Sequence, residues 1–311
     1  MPCHIISLGE ALIEIMRPAA GQPLDRPGEF VGPFASGAPA IFAVAAARLG
    51  ASVGFISGVG ADAFGRLMTA RLAAERVDTA QMQVVPGHST GCAFVAYADD
   101  GSREFVFHLR HSAAGAMDAD KLDPAYFVGV KWLHLSGSTI ALNPASRATC
   151  LRTLELTQAA GGHLSFDPNL RPELMPVAEA REVFAPYLEA ADLLVPTAAE
   201  AHALTNINDD DAAARKLLGR HNRLVVLKRG AAGCTLYTTT ERVDAPGFRV
   251  EEIDPTGAGD CFNAACLLSL DAGWPLAQVG RFACVAGALA VTQQGPMEGA
   301  PTRVAVETLL T

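Results

Sequence analysis

The residues best suited to chemistry sit in one short run, Asp254-Pro255-Thr256-Gly257-Ala258-Gly259-Asp260. A glycine-rich turn leads directly into a long apolar helix. Glycines remove side chains, so backbone N–H groups can approach an anion. The first turn of a helix adds unpaired donors and a partial positive charge. Such a mouth suits the oxyanions of a phosphoryl group in transfer. Asp260 falls in that first turn, where a carboxylate is favoured in its ionised form and can take a proton from an attacking hydroxyl. The same residues would equally serve as a plain helix cap and turn. Two other glycine runs fail as phosphate motifs. Gly60 to Arg66 has P-loop glycine spacing without the Lys-Ser/Thr pair, and Gly58-Val59-Gly60 meets Ala63 where a dinucleotide fingerprint needs a third glycine. His108 and His111 share a strand end with no third ligand, which points to solvent or substrate contact rather than metal.

The elements that would position this loop alternate along the chain. Strands are expected at His4–Leu8, Ser52–Ser57, Trp132–Ser136, Leu164–Asp167, Leu193–Val195 and Leu224–Lys228, with a hairpin of Cys234–Thr238 and Arg242–Asp244. Helices are expected at Pro39–Leu49, Phe64–Glu75, Asn143–Ala160, Ala178–Ala190, Ala198–Leu204 and Asp210–Gly219, and two more, Gly257–Ala272 and Leu276–Thr292, close the chain. Repeated strand–helix units imply a mainly parallel sheet covered on both faces. Ligands in such sheets bind outside the carboxyl ends of the strands.

Two segments break the rhythm. Ile13–Met16 and Phe30–Val31 flank a Gly/Pro-rich stretch, and Thr90–Tyr97 and Arg103–Leu109 flank the turn signal Asp99-Asp100-Gly101. They are either ordinary surface hairpins or a small β-sheet that covers the active site and excludes water. The expected division is therefore a main α/β domain of residues 1–12, 35–89 and 110–311 and a lid of residues 13–34 and 90–109.

Composition narrows the function classes. The 311 residues carry 24 Lys and Arg against 33 Asp and Glu, a net charge of −9, with no basic cluster for nucleic acid. Seven cysteines form no CxxC pair, which argues against a disulfide framework or zinc site and for a reducing compartment. No apolar run reaches the ~18–20 residues that cross a bilayer, and the first residues lack a signal-peptide pattern. A cytoplasmic protein with neither membrane nor nucleic-acid partner is expected.

In this setting the run 254–260 resembles the C-terminal signature of the PfkB/ribokinase family of carbohydrate kinases. Leu8-Gly9-Glu10-Ala11, Gly37-Ala38-Pro39-Ala40, Gly58 to Gly65, Phe166 to Arg171 and Lys228 to Gly233 are similar to further family motifs in order and spacing. Gly295–Thr302 and Ser112-Ala113-Ala114 resemble the 2-keto-3-deoxygluconate and tagatose kinase branch. The resemblance implies a ribokinase-like three-layer α/β/α fold and an ATP-dependent transfer of the γ-phosphoryl group to a primary sugar hydroxyl. It makes Asp260 the general base and Gly257, Ala258 and Gly259 the anion hole. It places Glu14, Gly37, His108, Arg110 and Arg171 on the sugar. It assigns Thr197, Lys228, Gly230, Gly233, Thr256 and Cys284 to the nucleotide, and Glu200 to Mg2+ through water. A monovalent cation is compatible with this reading. An exposed edge of the lid invites pairing with another subunit, so a homodimer through the lid is compatible with it too.

Four positions depart from the family pattern: Glu14 for Asp, and Ile41, Thr197 and Cys284 for Asn. Phe107 and His108 stand where tyrosines would favour a ketoacid. The expected acceptor is therefore a ketose of tagatose or fructose type, with 2-keto-3-deoxygluconate beside it. The competing readings are a non-catalytic sugar or nucleotide sensor on a kinase scaffold and a nucleoside kinase of the same superfamily.

Overall fold

The computed structural model describes residues 3–99, 102–219 and 224–310. Strands β1 (Ile5–Leu8), β2 (Leu12–Met16) and β3 (Val31–Ser36) open the chain, followed by α1 (Ala38–Arg48), β4 (Val53–Val59) and α2 (Ala63–Ala74). Strands β5 (Met82–Val84), β6 (Gly91–Tyr97) and β7 (Arg103–His108) come next. The middle runs through β8 (Trp132–Ser136), α3 (Gly137–Ala141), α4 (Pro144–Ala159), β9 (His163–Asp167) and α5 (Val177–Ala190). It continues with β10 (Leu193–Leu194), α6 (Ala198–Thr205) and α7 (Asp210–Leu218). The last part holds β11 (Leu224–Lys228), β12 (Cys234–Tyr237), β13 (Arg242–Ala245), α8 (Ala258–Asp271), α9 (Leu276–Ala290) and α10 (Arg303–Leu310).

Nine strands form the main sheet in the order β13-β12-β11-β10-β9-β8-β1-β4-β5. Its pairings are parallel except at β12 and β13, which return as the expected hairpin. Both faces are covered, so the strands read as continuous apolar runs. Alternation sorts those runs between two cores. Leu224 and Val226 of β11 face one core, Val225 and Leu227 the other. The first core packs α1, α8 and α9, and the second packs α4, α5 and α7. Chain order reverses at β1, which lies between β4 and β8. Such a switch point leaves a crevice at the strands' carboxyl ends.

The two irregular segments pair with each other as a separate sheet, ordered β3-β2-β6-β7. β2 and β3 are antiparallel from Leu12↔Ser36, so this sheet extends slightly beyond residues 13–34 at both ends. β3 runs through Gly32 and Pro33 because it is an edge strand, where a missing N–H breaks no ladder. β6 and β7 pair through Tyr97↔Arg103, and the tip residues Asp100 and Gly101 lie outside the described residues.

Two corrections concern helices. Three helices close the chain, not two: α10 follows Pro301 and buries Val306 against the first core. The short α3 directly continues β8, and its Gly137 permits close approach, since a Cβ there would lie 1.9 Å from the Pro168 carbonyl. The rejected glycine run at Gly60–Gly65 is closed by its own carboxylate. Asp62 caps α2 through the Gly65 N–H and also accepts from the Thr90 N–H and hydroxyl.

Candidate active site

The carboxyl ends of β1, β8, β9 and β11 deliver polar side chains to one cavity of about 410 Å³. Glu10 follows β1, Ser138 lies in α3 directly after β8, Asp167 ends β9 and Lys228 ends β11; all four line the cavity. The N-terminus of α8 closes it with Pro255 to Asp260. A second cavity, of about 670 Å³, adjoins it. Lys228, Gly230, Pro255, Ala258 and Gly259 line both, so the glycine loop and one ammonium stand at the junction.

Backbone geometry explains the glycines. Gly257 caps α8 with φ +84°, and a Cβ there would lie 2.5 Å from the Pro296 carbonyl oxygen. At Gly259 the nearest atom to such a Cβ would be Lys228 Nζ, 3.8 Å away. The backbone at Gly259 is therefore open on its Cβ side, beside an ammonium. Gly37, at φ +110°, caps α1 where a Cβ would strike the Glu10 carbonyl at 2.1 Å.

Charges around the junction hold one another in place. Lys228 Nζ donates to Asp167 Oδ2 at 2.9 Å and lies 3.4 Å from Asn263 Oδ1. Asn263 Nδ2 donates to the same Asp167 oxygen at 2.5 Å. Burial works against the Lys228 ammonium, yet Asp167, Glu200 and Asp260 raise its pKa above the ordinary lysine value. Asp260 is partly open to the cavity and otherwise enclosed. Burial, with Asp167 and Glu10 beside it, pushes its carboxyl up to about 8 against the pull of Lys228 and Arg171. The helix N-terminus opposes that rise by favouring the anion. Glu10 is held by the hydroxyls of Ser138 (2.7 Å) and Thr139 (2.6 Å) and is raised by burial.

The smaller sheet forms the opposite wall. Glu14 of β2 is 3% exposed; its Oε2 accepts from Ser36 Oγ at 2.8 Å, and its Oε1 has no partner. Burial, with Asp254 nearby, pushes this carboxyl up to about 7. Arg103, Phe105 and Phe107 of β7 also line the cavity.

The sequence-predicted residues divide clearly. Glu14, Gly37, Arg171, Thr197, Glu200, Thr256, Gly257 and Asp260 line the first cavity; Gly233 and Cys284 line the second; Lys228, Gly230, Ala258 and Gly259 line both. His108 and Arg110 border neither. His108 has the opposite strand parity from Arg103, Phe105 and Phe107, and its ring packs edge-on against Phe94. Arg110 is exposed and donates to the Leu174 carbonyl at 2.6 Å. Thr197 and Thr256, expected on the nucleotide, lie on the first cavity only. Glu200 has both oxygens engaged, Oε1 by the Leu170 N–H and Oε2 by the Thr197 N–H and hydroxyl, in a capping box. The Cys284 thiol turns toward Cys234, 3.8 Å away. Among the described residues no cluster of three or more His, Cys, Asp or Glu could hold a metal, and no helix is long and apolar enough to cross a membrane.

Sequence reasoning singled out the motifs that hold Glu10, Asp167 and Asn169 without giving these three a role, used Phe107 to choose the substrate, and assigned nothing to Asn263, Ser138, Arg103 or Phe105. A signal existed for Asp167: it ends a buried strand at the face where ligands bind. Asn169 carries a positive φ of 36° and donates to Ser136 Oγ at 3.0 Å, a contact no spacing announces.

Comparison with known proteins supplies an independent measure. Residues 4–303 match the model of the pfkB family carbohydrate kinases. The chain is 33% identical over 316 residues to fructokinase-2 of Solanum lycopersicum, covering 98% of this chain and 95% of that protein. It is similar to a "putative Ribokinase II" from E. coli solved with ATP and Mg2+, with TM-score 0.93 and 36% identity over 99% of both chains. A fructokinase double mutant from Vibrio cholerae O395, solved with fructose, ADP and potassium, matches with TM-score 0.82 and 29% identity over 100% of both chains.

Proposed function

The chain belongs to the pfkB family of carbohydrate kinases and is an ATP-dependent sugar kinase, and we propose that its acceptor is a primary hydroxyl of a neutral ketose of the fructose type. The observation that carries this reading is the unpartnered Glu14 Oε1, buried in the wall of the first cavity. A buried acceptor without a donor is costly, and a sugar hydroxyl would supply one. Glu10, Asp167 and Asp260 add carboxylates to the same cavity. A sugar acid such as 2-keto-3-deoxygluconate would bring a further negative charge to a wall where five carboxyl groups face the three cations Arg103, Arg171 and Lys228. The full-length likeness to plant fructokinases supports the same choice.

In this reading the sugar occupies the first cavity and ATP the second, and the γ-phosphoryl crosses at their junction. Asp260 takes the proton of the attacking hydroxyl. The amides of Gly257, Ala258 and Gly259 face the phosphoryl oxyanions, and Lys228 neutralises them as charge migrates. Such transfer is mostly positioning and electrostatics. Magnesium bound with the ATP phosphates would neutralise their charge, and Glu200, whose oxygens already accept from Leu170 and Thr197, would act on it through water. Potassium is proposed as a monovalent activator, supported by the V. cholerae structure. The smaller sheet acts as a lid of residues 13–34 and 90–109, supported by the wall it forms on the first cavity. Its exposed Phe30 and Val106 and its open edges suit a second copy of the chain.

Coupled ADP release across fructose, tagatose, 2-keto-3-deoxygluconate and adenosine tests the assignment. Fructose should give the highest kcat/KM. A preference for the sugar acid or for adenosine would overturn the neutral-ketose reading.

A further inference from the structure

Tyr97 ends β6, the strand of the smaller sheet whose residue Ala93 lines the first cavity, yet Tyr97 itself borders neither cavity. Its hydroxyl donates to Asp254 Oδ1 at 2.6 Å and lies 2.9 Å from Thr256 Oγ1. These two residues begin the glycine-rich loop. Asp254 is 2% exposed and fully engaged. Its Oδ1 also accepts from the Thr256 N–H, and its Oδ2 accepts from the Gly295 N–H, each at 2.9 Å. Gly295 precedes Pro296, whose carbonyl packs where a Cβ on Gly257 would fall. One buried carboxylate thus joins three segments: the end of the smaller sheet, the anion loop, and the turn after α9, the helix that lines the second cavity.

We infer that Tyr97 is a positioning residue for phosphoryl transfer: its hydroxyl fixes the register between the smaller sheet and the anion loop without touching either substrate. The strand does not need this bond to form, since β6 pairs along its length with β2 and β7. The loop does need an external reference. Its three small residues, Gly257 to Gly259, carry no side chains able to anchor it, and Asp254 and Thr256 are its polar handles. When the sheet settles over a bound sugar, the Tyr97 hydroxyl carries that placement to the amides that receive the phosphoryl group. Burial and the adjacent Asp254 carboxylate raise the phenol's pKa, so it remains a donor throughout the working range. A displacement of the reacting groups by about 1 Å can cost on the order of a hundredfold in rate, so loss of a single anchoring bond should register in turnover.

The inference rests on the site assignment above, and the experiment separates the two. Tyr97→Phe removes one oxygen atom. It should lower kcat about tenfold or more while leaving KM for fructose and ATP within twofold. Thr256→Ala removes only the second contact of that hydroxyl, at 2.9 Å, and leaves its bond to Asp254, so its loss in kcat should be the smaller. In the double variant the losses in kcat should overlap rather than multiply, because Tyr97→Phe already takes away the hydroxyl that Thr256 meets. Wild-type kcat in Tyr97→Phe, a loss confined to KM, or multiplicative effects would each overturn the inference. If Tyr97→Phe fails to fold, Thr256→Ala decides through the second contact of the hydroxyl: a fall in kcat at constant KM, smaller than that expected of Tyr97→Phe, supports the linkage, and unchanged kcat overturns it. Asp260→Asn is measured in parallel. Turnover retained there would remove the site assignment itself, whereas an inactive Asp260→Asn beside a fully active Tyr97→Phe would remove only the linkage.

Discussion

The two adjoining cavities are built from different materials. The first is walled by ionisable side chains: Glu10, Glu14, Arg103, Asp167, Arg171, Glu200, Lys228 and Asp260. The second is walled by glycines, alanines and apolar groups, with Lys228, Arg249 and Glu252 as its charged members. Charge in a partly dry cavity is worth more than in water, and it discriminates between groups that gain or lose protons. Small residues and backbone discriminate by shape. The division suggests that proton transfer and phosphoryl stabilisation belong to the first cavity and nucleotide fit to the second. Substitutions should then separate into effects on turnover and effects on ATP affinity.

The sharpest break in that comparison would come at Asp260. Asp260→Asn keeps the shape of the wall and removes the proton acceptor. Turnover should fall about 10³-fold, measured as steady-state ADP release, with fructose affinity nearly unchanged. Turnover within tenfold of wild type would show that Asp260 is not the base. Because the carboxyl is held near 8, kcat/KM of the wild type should climb with pH and level off above about 8. A rate independent of pH between 6 and 9 would contradict this.

A smaller effect of the same residue appears in stability. The folded chain keeps the Asp260 proton up to about pH 8, against an ordinary value of 3.8. Between those values the native state binds more protons than the unfolded chain, so stability falls as pH rises across the window. Asn carries no such cost. Allowing for water in the cavity, Asp260→Asn should be more stable than wild type by on the order of 1–3 kcal/mol at pH 8.5. The difference should shrink to nothing near pH 4. Denaturant midpoints at several pH values test this, and a constant or reversed difference would place Asp260 in a solvated setting instead.

The contrast between cavities also explains what the sequence could reveal. The anion loop was legible because backbone chemistry leaves a compact trace: glycines followed by a helix, with one acid in its first turn. The parallel sheet was legible because strands buried on both faces read as apolar runs. Asp167 and Asn263 meet only in space, 96 residues apart along the chain, so no local pattern pairs them. His108, expected on solvent or substrate, is exposed and turned from the cavity by parity. Its neighbours Phe105 and Phe107 face the cavity, and a residue one position beyond must face away. The phase of that alternation depends on which face is covered, and the covering elements lie far away in sequence. Cys284 lies on a helix that lines the second cavity, but its thiol turns to Cys234, a contact set by how α9 packs on β12.

The second cavity offers the mildest test. Ala288 lies on α9 and lines this cavity but not the first. Ala288→Leu would extend a branched hydrocarbon into space that the nucleotide should fill. No charge is altered, and the loop at Gly257 to Gly259 is untouched. KM for ATP should rise about tenfold, equivalent to about 1.4 kcal/mol, while kcat at saturating ATP and KM for fructose stay within twofold. An unchanged KM for ATP would mean that the nucleotide does not use this wall. A fall in kcat as large as the rise in KM would mean that α9 moves the anion loop when it is crowded, through the Gly295 turn that Asp254 holds. The cavities would then be mechanically one, and the separation of fit from chemistry would fail at the point where Lys228 joins them.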